Sequence, residues 1–360
     1  MTPSSVAPLS SPLLDPRSSP DRWSTVLADT RTVDADDTSS VLSWIVRVGH
    51  DAPEPGGGRT ADLWNLLAGV AAVDVGLARM LEPHLDARSI LAQAHVDEAD
   101  LADRLADVQV DDGSSWGVFA AEGSGLRLDA RLSADGWRLA GRKPWCSLAG
   151  TLSHALVTAW VSPTERGLFA VDLRAGGVDA HPGPWVARGL PRVVSAPVDF
   201  SDVRAVPVGS PGWYLSRPGF ALGGMGVAAV WWGAAVPLAA AIVDAARRAG
   251  ADQLAESYAG RADAELWSAR AVLAEAADAA DHRGSNADAD ADAKRLAARV
   301  RGVVADAVER VMTLADHALG PAPLTVDEGY ARRVADLHLY LRQHHAERDA
   351  ARLGRLLVGR

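Results

Sequence analysis

The 360-residue chain has a single cysteine, Cys146, which excludes an internal disulfide and any cysteine-based metal cluster. Neither an HExxH nor an EF-hand pattern occurs, so no metal site is expected. Phenylalanine and tyrosine are scarce, four of each, against twelve tryptophans. Core rings are therefore mostly indoles, and Trp145, Trp185, Trp231 and Trp232 are candidates to line an aromatic pocket. No basic stripe rises above scattered arginines, and the net charge is −10, which argues against a nucleic-acid partner. No repeat with a solenoid period is present. Residues 1–22 read as a disordered arm; the first 20, rich in Ser and Pro, lack the basic and apolar regions of a signal peptide. The most apolar stretch, Phe220–Val243, is broken by Gly223, Gly224, Gly226, Gly233 and Pro237 and lacks basic anchors on both sides. It reads as a buried bundle helix, not a membrane span. A soluble, cytoplasmic protein with no membrane partner is expected.

Three compositional zones remain. Residues 23–108 carry apolar residues at helical spacing over Thr38–Gly49, Ala61–Met80 and Asp86–His95, with a charged piece at Glu98–Val108. Residues 109–212 change to short β-type runs, such as Trp116–Ala121, Leu126–Leu132, Trp137–Ala140, His154–Val161, Gly167–Leu173 and Val194–Phe200. Residues 213–360 return to Ala-rich helical patterns over 217–249, 252–281, 290–319 and 327–353, with Asn286–Ala293 read as a connection. The expected class is α+β: an N-terminal helical domain, a middle β-domain and a C-terminal four-helix bundle.

One segment stands out, Gly136–Val161, GWRLAGRKPWCSLAGTLSHALVTAWV: a strand, a Pro-Trp corner with small hydroxyls, and a second strand. It resembles the nG-x-K-x-W-I-[ST]-n-a segment of acyl-CoA dehydrogenases. Trp116–Ser124, WGVFAAEGS, is similar to that family's L-T-E-P-x-x-G-S strand and loop, and Val198–Gly209, VDFSDVRAVPVG, to its F-d-d-V-x-V-P strand. The resemblance covers about residues 35–355. It is closer to a dehydrogenase-like subgroup with a Pro-Gly-x-Gly-x-Thr loop (Pro55–Thr60), an E-x-H-x-D-A helix start (Glu82–Ala87) and an R-Q-H-H-A-E-R-D helix (Arg342–Asp349).

The resemblance implies FAD. Trp145 would pack on the flavin ring and Ser147 would donate towards N5, with Cys146 between them. Phe119, Ala120 and Ala121 would lie along the pyrimidine edge, and Arg342 would add a polar contact. Gly123 and Ser124 would face a small-molecule substrate, such as an acyl thioester, with His84 as a channel residue. A homodimer or homotetramer is expected. The chain departs from the family at three places. The base Glu is replaced by Ala331 or Tyr330 at one family position and by Ser216 at the other, the pyrophosphate-binding Arg turn has no counterpart, and Gln343–Glu347 stands in place of G-T-x-E-I.

Losing that carboxylate moves attention to His344 and His345, whose side-chain pKa range suits acid/base work. On a continuous helix they would point about 100° apart, with His344 facing Arg348 and His345 facing Asp349. Three functions follow. The first is an FAD-dependent oxidoreductase of dehydrogenase type with a non-standard active site. The second is a flavin-dependent monooxygenase on the same fold, and the third a non-catalytic ligand- or partner-binding homologue. Blander readings stand beside these. His84 would cap a helix start, Cys146 would be an inert buried thiol, and Pro53–Arg59 (PEPGGGR) would be a mobile interdomain loop, not a phosphate cradle.

Overall fold

The computed structural model describes residues 21–217, 219–284 and 287–359. Most of the disordered-arm reading, residues 1–20, and two residues of the 286–293 connection reading and its flank, 285 and 286, lie outside them. The last two residues assigned to the arm begin a helix. The chain opens with helices α1 (Asp21–Thr30), α2 (Thr38–Asp51), α3 (Thr60–Val73), α4 (Val75–Asp97) and the short α5 (Leu101–Leu105). Strands β1 (Trp116–Phe119), β2 (Leu128–Ser133), β3 (Gly136–Ser147), β4 (His154–Trp160), β5 (Arg166–Asp172), β6 (Val178–Ala180) and β7 (Ser195–Val208) follow. The remainder is helical: α6 (Trp213–Ser216), α7 (Phe220–Ala246), α8 (Gln253–Asp281), α9 (Ala287–Leu319), α10 (Ala322–Val326), α11 (Glu328–Tyr340) and α12 (Glu347–Val358).

Around the sheet, β4 pairs with β5, β5 with β7, β7 with β3, β3 with β2, and β2 with β4, which closes a small barrel. Closure removes the free edges that a small open sheet would present. Strand β1 adds to β4 in parallel, and β6 adds to β7. Apolar residues of the barrel, of α2–α4 and of α7–α9 merge into one core that includes Phe119, Phe169, Trp44, Trp64 and Trp231. Helix α7, apolar enough by length and composition to cross a membrane, is mostly buried, packed against α3, α8 and α9. Its glycines allow this closeness: a Cβ at Gly233 would sit 2.2 Å from the Ala68 carbonyl oxygen.

Four boundaries differ from the sequence reading. The Ala61–Met80 periodicity spans two helices, because Asp74 is extended (φ −145°, ψ 123°) and its carboxylate accepts from Leu77 N–H to cap α4. Arg333 seals this break by donating to the carbonyls of Ala71, Ala72 and Val73. Helix α4 then runs through Pro83, so His84 lies in mid-helix and caps nothing. The 327–353 pattern breaks between α11 and α12, where Ala346 adopts a left-handed φ of 42°. His344 and His345 therefore do not share a helix. Ala287–Ala293, expected in a connection, begins α9.

The glycine loop also differs from its reading as mobile. Asp281, the last residue of α8, accepts hydrogen bonds from Gly58 N–H (3.0 Å), Thr60 N–H (3.0 Å) and Thr60 Oγ1–H (2.6 Å), and Thr60 Oγ1 accepts from Gly56 N–H. The loop's amides do cradle an anion, and that anion is the chain's own carboxylate.

Candidate functional site

The Pro-Trp corner is built by one missing donor. Pro144 has no N–H for the ladder, so pairing with β7 jumps from Lys143↔Val198 to Cys146↔Ala196 and leaves Pro144 and Trp145 as a bulge. Trp145 is forced to φ 58°, a left-handed conformation that costs a non-glycine residue about 1–2 kcal/mol. Its indole turns outwards and is 61% exposed. A large ring held at the surface in a strained backbone is the pattern of a functional position, not of a core residue.

Around it the anchoring is tight. The Lys143 side chain, only 2% exposed, donates from Nζ to Glu122 (2.7 Å) and to Thr158 Oγ1 (2.8 Å), and Arg166 reaches the same Glu122 oxygen at 3.0 Å. This ties the loop after β1 to β3, β4 and β5. Gly123 packs on the Pro144 ring, so the 119–124 segment does adjoin the corner. Within it Phe119 is buried in the core, while Ala121 and Ser124 are exposed. Cys146 points inwards beside the Lys143 and Pro144 carbonyls, and burial pushes its thiol up to about 12, so it is inert and faces away from any ring on Trp145.

Ser147 Oγ lies 2.7 Å from Ser195 Oγ and accepts from Arg79 Nη2 at 3.2 Å. Arg79 Nη1, buried, has no hydrogen-bond partner among the described residues and lies 3.7 Å from Glu82 Oε2. The enclosed space beside Trp145, Ser147, Arg79 and Phe119 is 40 Å³, room for about one water. A planar cofactor ring would thus have to lie on the exposed face of Trp145, with Ser147, held by Arg79 Nη2, as the polar group nearest its edge. The residues present fit that group.

On the far side of Arg79 opens a cleft of 360 Å³ between α4, α7, α9 and the segment joining α11 to α12. Its wall carries Glu82, Asp86, Arg217, Arg301, His344 and Asp349. Glu82 has Tyr340 O–H at 3.4 Å as its hydrogen-bond donor, and burial, opposed by Arg79, raises its carboxyl to about 7. Asp86 is also raised by burial, although Arg217 donates to it at 3.1 Å and to Gln93 at 3.0 Å. The Arg217 side chain is only 1% exposed. Arg301 lies 4.7 Å over the Trp231 ring and donates to the Gly224 and Gln343 carbonyls, which fastens the segment after α11 to α7.

His344 and His345 both border this cleft, and both turn to Asp349. His344 Nδ1 lies 3.2 Å from Asp349 Oδ2, poorly aimed for a hydrogen bond, while burial lowers its pKa. His345 is exposed and its backbone N–H donates to the same carboxylate. The expected pairing of His344 with Arg348 is absent because the helix is broken there. Arg342, expected at the cofactor, is in an exposed ion pair with Glu309. His84 is fully buried, accepting from Trp116 N–H; burial lowers it to about 3, so it stays neutral.

Sequence reading missed Arg79, Glu82, Asp86, Arg217 and Arg301. A signal existed: Glu82 and Asp86 stand four apart in a helix whose neighbours Leu81, Leu85 and Ala87 are apolar. Two carboxylates on an inward helical face need a function or a partner.

No family model and no curated protein sequence matches the chain. Solved structures do match in fold. KijD3, in complex with FMN and dTDP-3-amino-2,3,6-trideoxy-4-keto-3-methyl-D-glucose, is 21% identical, with a TM-score of 0.79 over 98% of this chain and 95% of that one. A nitrososynthase from Micromonospora carbonacea var. africana is 17% identical, with a TM-score of 0.77 over 95% and 97%. Dibenzothiophene monooxygenase (TdsC) from Paenibacillus sp. A11-2 is 17% identical, with a TM-score of 0.74 over 94% and 96%. What the chain shares with them is the fold, helices packed around a small barrel.

Proposed function

We propose that the protein is a flavin-dependent oxidoreductase of monooxygenase type, acting on a small molecule bound in the cleft between α4, α7 and α9. The observation that carries this reading is Trp145, a strained, outward-turned indole two residues before Ser147, whose hydroxyl is held by Arg79. Its supporting frame divides the chain at 23–108, 109–212 and 213–360, with the β-domain between two helical layers. Trp145 stacks on the ring, Ser147 bonds its polar edge with Arg79 orienting the serine, and the 119–124 loop borders it. Bound there, a flavin supplies two-electron transfer and, when reduced, activation of O₂. Lys143 and Glu122 keep the corner rigid, and His344 offers a titratable nitrogen to the bound molecule.

Monooxygenation is favoured over acyl-thioester dehydrogenation because the positions that resemble those of the dehydrogenases' base carry Ala331 or Tyr330 and Ser216, none of them a carboxylate. FMN is favoured over the FAD expected from sequence, because KijD3 was solved with FMN and TdsC likewise. The test is to add FMN or FAD to purified protein and follow absorbance and flavin fluorescence. Tight, Trp145-dependent binding of FMN is the expected result. A protein that takes up neither flavin would overturn the reading and leave the non-catalytic alternative.

A further inference from the structure

Glu82 has no place in the function so far assigned, yet its surroundings are those of a working group. It projects from mid-α4 into the cleft wall. Both of its protein contacts fall on one oxygen: Tyr340 O–H at 3.4 Å and Arg79 Nη1 at 3.7 Å, each on Oε2. Among the described residues no hydrogen bond is made to Oε1. Arg79 bridges outwards, its other nitrogen donating to Ser147 at the Trp145 corner. A continuous polar path therefore runs Glu82–Arg79–Ser147–Ser195 from the cleft to the corner. His344, the alternative titratable group, has no such link: its Nδ1 faces Asp349 and its ring meets Trp231 edge-on.

We propose that Glu82 is the acid/base group of the cleft, exchanging a proton with the bound small molecule through Oε1 while Arg79 couples its charge to the flavin corner. The proposal rests on the reading that a flavin lies on Trp145. In the step, ionised Glu82 takes one proton from an O–H or N–H of the bound molecule. The bonding pair stays on that oxygen or nitrogen, the carboxylate becomes neutral, and nothing is oxidised or reduced. Tyr340 and Arg79 stabilise the ionised form, and release of the proton to solvent restores it. The charged and titratable groups facing Glu82 are Arg79 and Asp86 on its own helix, Tyr340 of α11 and Arg301 of α9. Burial outweighs the two arginines and leaves the carboxyl titrating near neutrality, where a general base works best.

Two titrations test this, each from about pH 5 to about pH 9. On flavin-free protein labelled with ¹³C-glutamate, one side-chain carboxyl resonance is expected to titrate near pH 7 and to vanish in Glu82→Gln. On FMN-loaded protein, the flavin absorbance is expected to shift through the same pH. That shift should be lost in Glu82→Gln, preserved in Glu82→Asp, and preserved in His344→Gln. A flavin response that persists in Glu82→Gln, or a Glu82 resonance titrating in the ordinary carboxylate range, overturns the proposal. Failure of the wild type to bind FMN overturns the flavin reading and the coupling with it. The flavin-free titration tells that outcome apart from a Glu82 that does not exchange. Unchanged circular dichroism of Glu82→Gln excludes misfolding as the cause.

Discussion

The Trp145 corner and the charged cleft lie on either side of Arg79, and they are built in opposite ways. The corner is local: one proline, one bulge and one left-handed residue within a five-residue stretch expose a ring. The cleft is assembled from residues far apart in sequence, with Asp86 and Arg217 separated by 131 positions. A local device specifies a surface, and its removal changes binding more than folding. A long-range device holds buried charge in place, and its removal changes folding first.

The largest expected break of that contrast is Arg217→Ala. It strands the Asp86 carboxylate without its counter-charge, and chemical denaturation is expected to show a loss of about 3–5 kcal/mol. An Arg217→Met, Asp86→Leu double variant should recover most of it.

Next comes a pH effect with opposing signs. Glu82 is raised from 4.5 to about 7 in the folded protein, so between those values the folded state holds the proton that the unfolded state has lost. Its contribution therefore lowers stability as pH rises through that window. His84, lowered from 6.5 to about 3, acts in reverse: stability is lost as pH falls below 6.5, because only the unfolded state takes the proton. The two slopes oppose each other between 4.5 and 6.5. In Glu82→Gln the histidine slope should stand uncompensated, and stability measured by urea titration should rise with pH by roughly 2–3 kcal/mol more than in the wild type.

At the corner, Trp145→Ala is expected to weaken FMN binding by about 1–3 kcal/mol, the scale of aromatic stacking on a planar base. Its unfolding free energy should change by less than about 1 kcal/mol, since the ring is exposed. An equal loss of stability would place Trp145 among the structural tryptophans and collapse the distinction. The smallest effect belongs to the glycine loop. Asp281→Ala removes three hydrogen bonds at a partly buried site, for a loss of about 1 kcal/mol and faster proteolysis of the 53–59 loop.

The order of helices, strands and helices was legible, because periodicity changes from 3.6 to 2 and back along the chain. The corner was legible for the same reason that it is local: proline, tryptophan and serine stand next to one another. Asp74 hid a helix break, since extended backbone at one residue leaves the apolar spacing on both sides intact. The Glu82–Ala87 segment, read as a helix start, lies in the middle of α4, which simply continues through Pro83. The break at Ala346 likewise turned two histidines, expected to diverge on one helix, to one shared carboxylate. Arg217 and Arg301 could not be found from spacing, because their partners are set by tertiary packing.

Arg333, described above only as closing the gap between α3 and α4, has a wider consequence. Its guanidinium fork takes the last carbonyls of α3, so the rod cannot continue and α4 sets out along a new axis. Arg79 and Glu82 inherit their azimuth from that joint. Re-aiming the wall that both regions share would call for edits at Asp74 and Arg333, upstream of every residue that a ligand would meet.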